Sequence, residues 1–344
     1  MTHASPPAPT TNAEVVKKPA PSPLRAAWQG WPGSVLRLLL ALMPLVWLTQ
    51  KIRWSDVAMR ARDVGAQGLA IAFLTLLTTV SLGAIRWRTM MRAYGAKDLP
   101  ALPTLMRHLL VGLYFNVLPS GVAGDAVRAH RLRKSMPDLA TSLTVIFLER
   151  VAGLLGLCIV AAIAFVASDD IRDDVVAKVL QLGLLGALGL SAFVLIAPWQ
   201  LAQNPALRAL VTKIPVAGPI VLRIPVARSG WGIASSVLQS VIIQGMVVIS
   251  VGFLVEPLAP SVTMLVCARV VPAIILTTYI PLTPGGLGQR ELVFRYMFGL
   301  VGVAPDAAVA TSLLFFAMLM SLSALGGLSL LAERALKLDA SGDE

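Results

Sequence analysis

"YIPLTPGGLGQRELVFRY", residues Tyr279 to Tyr296, interrupts an apolar chain with two prolines, three glycines and then Arg290, Glu291 and Arg295. A soluble turn of this kind would be ordinary. Here the chain of 344 residues is 56% hydrophobic and only 14% charged, with a mean hydropathy of +0.77. Soluble domains carry about 25% charged residues. Apolar runs at 35–50, 68–85, 139–166, 179–197, 231–254, 258–281 and 307–331 approach or exceed the roughly 20 residues that cross a bilayer core as a helix. The fold class read from this is an all-α polytopic membrane protein, and the opening stretch is a helix broken at membrane depth.

A second break has the same format. "FNVLPSGVAGDAVRAHR", Phe115 to Arg131, slid by 164 residues lies on Tyr279 to Arg295. Leu118 then meets Leu282, Gly121 meets Gly285, Gly124 meets Gly288 and Arg131 meets Arg295. Both copies read as an aromatic, a proline break, Gly-x-x-Gly, then charge on a new helix. Three apolar runs separate them, an odd number, so the copies approach the membrane from opposite sides as an inverted repeat. Backbone that leaves helical geometry at membrane depth is tolerated only where protein or a water-filled cavity covers it. Paired breaks in two halves of a chain point to a transporter's midplane site. The expected architecture is about 6–8 spans with two re-entrant hairpins, near 105–125 and 265–303.

Each part of the breaks has a physical use. Pro119, Pro281 and Pro284 remove a donor and stop a helix. Gly121, Gly124, Gly285, Gly286 and Gly288 admit positive φ or close backbone approach. Helices restarting near Asp125 and Leu287 present free N–H groups, a ready anion site. Arg128, Arg131, Arg290 and Arg295 supply forked donors suited to phosphate. Glu291 and Arg295 are four apart and share a helix face. Asp125 reads equally as a helix-start acid. Glu149 and Arg150, about eleven residues into 139–166, and Arg269, at the same depth in 258–281, are charges that must face a cavity or a partner. Adjacent helical residues do not face each other, so Glu149 and Arg150 reach different neighbours.

Charge gives orientation. The loop 167–178 is rich in aspartate and reads as external; the basic loop 198–230 reads as cytoplasmic, as do both termini. The basic segments 86–107 and 128–134 both belong to the cytoplasmic side, which is why 105–125 must enter and return. The segment 51–63 conflicts: it should be external, yet it is basic, so either it lies as an interfacial helix or the first span is misplaced. Residues 1–34, proline-rich, form a cytoplasmic tail; 35–335 form the membrane domain; 336–344 a second tail. The net charge of +11 suits loops beside anionic lipid and not nucleic acid. No metal-ligand spacing, nucleophile motif or Walker-type loop is present, and no cofactor is implied. Cys158 and Cys267 lie in apolar runs as packing residues.

"NVLPSGVAGDAVRA", "LERVAGLLGL" and "PLTPGGLGQRE", in that order, resemble the lysylphosphatidylglycerol synthase transmembrane region, a flippase-like family, over roughly residues 35–335. Asn116, Pro119, Gly124, Asp125, Arg128, Glu149, Arg150, Pro284, Gly285, Gly286, Gly288 and Glu291 match its pattern. The resemblance implies a module that moves a lipid between leaflets of a bacterial inner membrane, without the soluble aminoacyltransferase half. Three functions stay open: transport of an anionic, phosphate-bearing or isoprenoid-type lipid; lipid modification with Asp125, Glu149 or Glu291 as acid or base; and a non-catalytic partnership with a lipid-biosynthesis enzyme. The lipid and the oligomeric state are not legible.

Overall fold

A computed structural model describes residues 54–116, 123–133, 135–166, 175–213, 226–279 and 288–339, and their regular structure is all helical. In chain order the helices are α1 (Trp54–Ala93), α2 (Leu102–Asn116), α3 (Ala123–Leu132), α4 (Leu139–Val166), α5 (Val175–Gln203), α6 (Pro205–Thr212), α7 (Gly230–Val255), α8 (Met264–Thr278), α9 (Gln289–Gly299) and α10 (Pro305–Asp339). Five of them, α1, α4, α5, α7 and α10, contain stretches long and apolar enough to span a membrane. The run 35–50, the proline-rich tail and the tips of both breaks, with Pro119, Gly121, Pro284, Gly285 and Gly286, lie outside the described residues.

Several expected boundaries move. The run 258–281 is not one span. Pro257 and Pro260 keep the chain in turns, and α8 starts only at Met264, its first turn capped by the Thr263 hydroxyl, which accepts from the Val266 N–H. Fifteen residues rise about 22 Å, short of the roughly 30 Å core. The run 68–85 is part of a longer helix at both ends. At its start, the described part of 51–63 is helical and joins the span through Gly65, whose φ of 75° and ψ of 161° only glycine adopts cheaply. Arg60 there pairs with Asp306 in the first turn of α10. At its end, α1 continues to Ala93 because Ala84, Trp87 and Met91 extend a buried stripe at helical spacing, with Tyr94 next in line. Arg86 and Arg88 are therefore helical, not loop, residues. Similarly α5 begins before Lys178 and continues through Pro198, so the loops on either side of it are shorter than their charge suggested.

The two broken segments share one design. Helices of 15 and 10 residues flank the first break and helices of 15 and 11 the second. Each is preceded by a long helix, α1 or α7, and followed by another, α4 or α10. The neighbours correspond as well: α2 packs on α1, α3 and α10, while α8 packs on α7, α9 and α4. The corresponding long helices α1 and α7 run antiparallel. The Ser250 hydroxyl donates to the Ala72 carbonyl at 2.9 Å, Arg86 Nη1 donates to Ser240 Oγ at 2.9 Å, and the Arg228 N–H donates to the Ala93 carbonyl at 2.7 Å. Antiparallel equivalents are what an inverted repeat requires.

The first broken segment leaves where it arrives. Arg107, in the early turns of α2, and Arg131, at the end of α3, both bond Glu333 near the end of α10, at 3.0 and 2.9 Å. The Lys97 N–H, before α2, donates to the Ser135 carbonyl, after α3, at 3.0 Å. The α2–α3 pair is therefore a hairpin, and its α2 arm packs against α10. There Gly326 faces the backbone of Leu110 and Gly327 faces the Tyr114 ring.

A side chain at Gly326 would collide with the Leu110 carbonyl, an obstacle that cannot rotate away. Gly326→Val is expected to destabilise by about 1–3 kcal/mol or more. Gly186→Val, on α5 with open space around it, is the control. Thermal unfolding in detergent measures both; an unchanged midpoint for Gly326→Val would contradict the close α2–α10 packing.

Candidate functional site: a charged cavity at the two breaks

The cavity follows from where the helices stop. Asn116 ends α2 and Tyr279 follows the end of α8, and both line one cavity of about 320 Å³. Thus one cavity is reached by both broken segments. Around it lie Gly83 and Arg86 of α1, Gly112 of α2, Asp125 and Arg128 of α3, Glu149, Arg150 and Gly153 of α4, and Gln244 of α7. The start of α3 is tied to the end of α2 by Asn116 Oδ1, which accepts the Gly124 N–H at 3.1 Å. Gly124 has no room for a side chain, since a Cβ there would meet the Gly112 carbonyl and Asn116. Close α2–α3 contact carries Asp125 and Arg128 into the cavity, one helical turn apart.

Its electrostatics are built from five ions. Glu149 is 2% exposed in the middle of α4. Its Oε1 accepts from Arg86 Nη2 at 2.9 Å, and its Oε2 accepts from Arg128 Nη2. Arg86 also reaches Ser240, and the Arg128 guanidinium lies 4.2 Å over the Trp87 ring, a cation–π contact. Arg150 turns the other way, its Nε bonded to Asp125 Oδ2, while Asp125 Oδ1 lies 3.5 Å from Arg128 Nη1. Glu149 and Arg150 do reach different neighbours. The Nε atoms of Arg86 and Arg128 are buried and meet no acceptor among the described residues. The group can hold an oxyanion: three forked donors, two of them with spare N–H capacity, line a space large enough for a headgroup.

The sequence-derived candidates divide here. Asn116, Asp125, Arg128, Glu149 and Arg150 line the cavity, and Gly124 shapes it. The charges of the second break do not line it among the described residues. The buried stripe of α9 is Arg290, Phe294, Met297 and Phe298, so Glu291 and Arg295 sit one residue off that stripe and Arg295 is exposed. Arg290 stacks 4.4 Å from the Phe316 ring, with Nε donating to Ser312 Oγ at 3.3 Å. Glu291 pairs with Arg290 at 3.5 Å, not with Arg295, and accepts the N–H of Gly288, closing the first turn of α9 as a capping acid. Gly288 itself has φ of 78° at that start. Arg269 is buried against a separate apolar cavity of about 350 Å³ with Cys158 and Lys178, its guanidinium 6.0 Å from the Phe165 ring. Among the described residues there is no metal-binding cluster of His, Cys, Asp and Glu.

Arg86, Trp87, Ser240, Gln244 and Tyr279 were not singled out from sequence. For Arg86 a signal existed: the buried stripe Ala84, Trp87, Met91 carries the helix past it, so Arg86 had to be within a span. Gln244 and Ser240 give no such signal, since polar residues at helical spacing in α7 can equally serve helix packing.

Removing one member of a buried ion pair leaves a charge uncompensated, at about 3–5 kcal/mol. Glu149→Gln is expected to fall in that range, because Arg86 and Arg128 lose the negative charge they share and one of its two acceptor oxygens. Arg150→Gln should cost less, since its side chain is 45% exposed and Asp125 keeps Arg128 at 3.5 Å. Chemical or thermal unfolding in detergent distinguishes them, and equal losses would refute this ranking.

Comparisons with known proteins agree with this architecture. Residues 34–327 match the model of the lysylphosphatidylglycerol synthase TM region. The chain is 26% identical to Glycosyltransferase AglD of Haloferax volcanii over 85% of its own length, and spans about half, 53%, of that relative. It is 24% identical to the UPF0104 membrane protein PH1989 of Pyrococcus horikoshii over 86% of its length and 95% of the relative. A multi-pass helical membrane protein, this chain belongs to the lysylphosphatidylglycerol synthase transmembrane-region family.

Proposed function

We propose that the protein moves an anionic, phosphate-bearing lipid across the bacterial inner membrane, with the headgroup passing through the cavity and the tails remaining in the bilayer. The observation that carries this reading is the meeting of both broken segments at one cavity lined by Arg86, Arg128 and Arg150. The acids here, Asp125 and Glu149, are held by arginines, which suits positioning more than acid–base work. In this reading the acids position the guanidiniums and the guanidiniums meet the headgroup. Orientation belongs to the same proposal. The basic face carrying Arg107, Arg131 and Arg133 lies at the cytoplasm, with the α4–α5 connection outside, as the positive-inside rule favours.

A second reading, a membrane partner to a lipid-modifying enzyme, is favoured by one specific observation. A relative named as a glycosyltransferase is about twice the length that this chain matches. In that reading the cavity presents a lipid carrier to an enzyme without moving it.

Reconstitution in vesicles separates the readings. The expected result is faster exchange between leaflets for fluorescent anionic lipids than for zwitterionic lipids of equal tail length, with no covalent change. Arg128→Gln should slow exchange at least about tenfold, the loss of about 1.4 kcal/mol of differential binding. Arg133→Gln, on the exposed end of the hairpin, should leave it unchanged. Equal exchange of both lipid classes, or normal exchange by Arg128→Gln, would remove the transport reading; lipid presentation would then be tested by adding a transferase.

A further inference from the structure

We infer that α3 is the element that moves when a headgroup enters the cavity, and that Glu333, outside the cavity, is the positioning residue that latches it. The inference rests on the reading of the cavity as a transport site. It comes from comparing two helices that the repeat makes equivalent. Sliding the sequence by 164 residues lays α3 on α9, with Gly124 on Gly288 and Arg131 on Arg295. Yet the two helices are held by different forces. α9 buries Phe294, Met297 and Phe298 in the apolar core, and its Arg290 stacks on Phe316. α3 has only Ala129 and Leu132 as buried apolar anchors. Ion pairs supply the rest. At the cavity end Asp125 bonds Arg150 and Arg128 bonds Glu149. At the other end Arg131 bonds Glu333 with both terminal nitrogens, at 2.9 and 3.0 Å.

This difference decides which helix an arriving anion displaces. A ligand shifts an equilibrium only by interacting differently with its two states. A phosphate in the cavity offers nothing to the aromatic contacts that hold α9. It offers Arg128 and Arg150 an oxyanion in place of the carboxylates they now bind. Asp125 is the less well satisfied of those carboxylates. Its Oδ1 is buried, lies 3.5 Å from Arg128 Nη1 and accepts no hydrogen bond among the described residues. When the ions at the cavity end exchange partners, α3 keeps its packing on α2 and α4 and its bond to Glu333. Glu333 also takes Arg107 of α2, at 3.0 Å. One carboxylate of α10 thus ties both arms of the hairpin at the end away from the cavity. Arg295, the equivalent of Arg131, is exposed, and α9 is anchored without it.

Cysteine pairs test this in vesicles of the full chain, with leaflet exchange of fluorescent phosphatidylglycerol as the readout. The chain's own Cys158 and Cys267 are buried and stay in place. Arg131→Cys with Glu333→Cys is bridged by a bis-methanethiosulfonate linker, which a reductant removes. Arg60→Cys with Asp306→Cys, replacing an exposed pair between α1 and α10, is the control. Linking α3 to α10 is expected to slow exchange at least about tenfold, reversibly, while linking α1 to α10 leaves it unchanged. Glu333→Gln, which loosens the latch and keeps its shape, is expected to speed exchange about threefold with unchanged lipid affinity. A merely structural Glu333 would give slower exchange instead. If the unlinked α3–α10 pair fails to accumulate, Glu333→Gln decides alone. Suppose wild-type protein exchanges lipid. Equally fast exchange by the linked α3–α10 pair, slower exchange by Glu333→Gln, or arrest by the α1–α10 link would then overturn the inference and leave the transport reading standing. No exchange by wild-type protein removes the transport reading itself.

Discussion

A carboxylate in the middle of a spanning helix must find cations, and Glu149 finds two on different elements. Arg86 comes from α1 and Arg128 from α3. That requirement fixes more than a local contact. It sets how deep the α2–α3 hairpin reaches, because Arg128 must arrive at the level of Glu149. It also fixes the rotation of α1, whose Trp87 then lies under the Arg128 guanidinium. The desolvation cost of five ions is large, and their mutual attraction offsets it only in good geometry. Hence the site is surrounded by close packing: Gly112 against Gly124, Gly156 against the Ser240 backbone, Gly326 against Leu110. Small residues at these crossings let the backbones approach, as in membrane helix packing generally.

The two halves share a plan and differ in chemistry. In the first, charge faces a cavity. In the second, Arg290 is buried under Phe316 beside Ser312, with Glu291 spent on the helix start. The core reflects this. One apolar cluster centres on α7 to α10 with the first half of α1; the other gathers the second half of α1 with α2, α3 and α4 around the ions. An inverted repeat with identical halves would offer the same site from each side. Here the charged site belongs mainly to one half, and the other contributes the neutral lining of Tyr279 and Gln244.

Most of the architecture was legible in sequence because apolar runs, proline–glycine breaks and loop charge report directly on bilayer physics. The repeat was legible as a shared format at a spacing of 164 residues. Helix length was less so. The chain reads as apolar from 258 to 281, yet Pro257 and Pro260 deny the first six residues to α8. Asp125, Arg128, Glu149 and Arg150 could be singled out because charge in an apolar run is conspicuous. Arg86 is less conspicuous, because it stands at the end of such a run and looks like the start of a loop; only the helical spacing of Ala84, Trp87 and Met91 carries the helix past it. Arg290, Glu291 and Arg295 share the conspicuous charge but not the cavity. Which side of a short helix faces the core depends on neighbours that a spacing argument does not contain.

The ion network also bears on how tightly any headgroup can be held. A site of three free guanidiniums would bind an anion too strongly to release it, since each charge-assisted hydrogen bond contributes about 1.5–3 kcal/mol. In this cavity Asp125 already occupies Arg150 and approaches Arg128. Under the proposed transport, an arriving phosphate would compete with that carboxylate, and its binding would be the small difference between two similar interactions. Asp125 sits in the first turn of the short helix α3, next to a break, and is the acid best placed to yield, whereas Glu149 is fixed in the long helix α4 between two arginines. Under the proposed transport, exchanging one oxyanion for another on the same arginines would keep the barrier to release low.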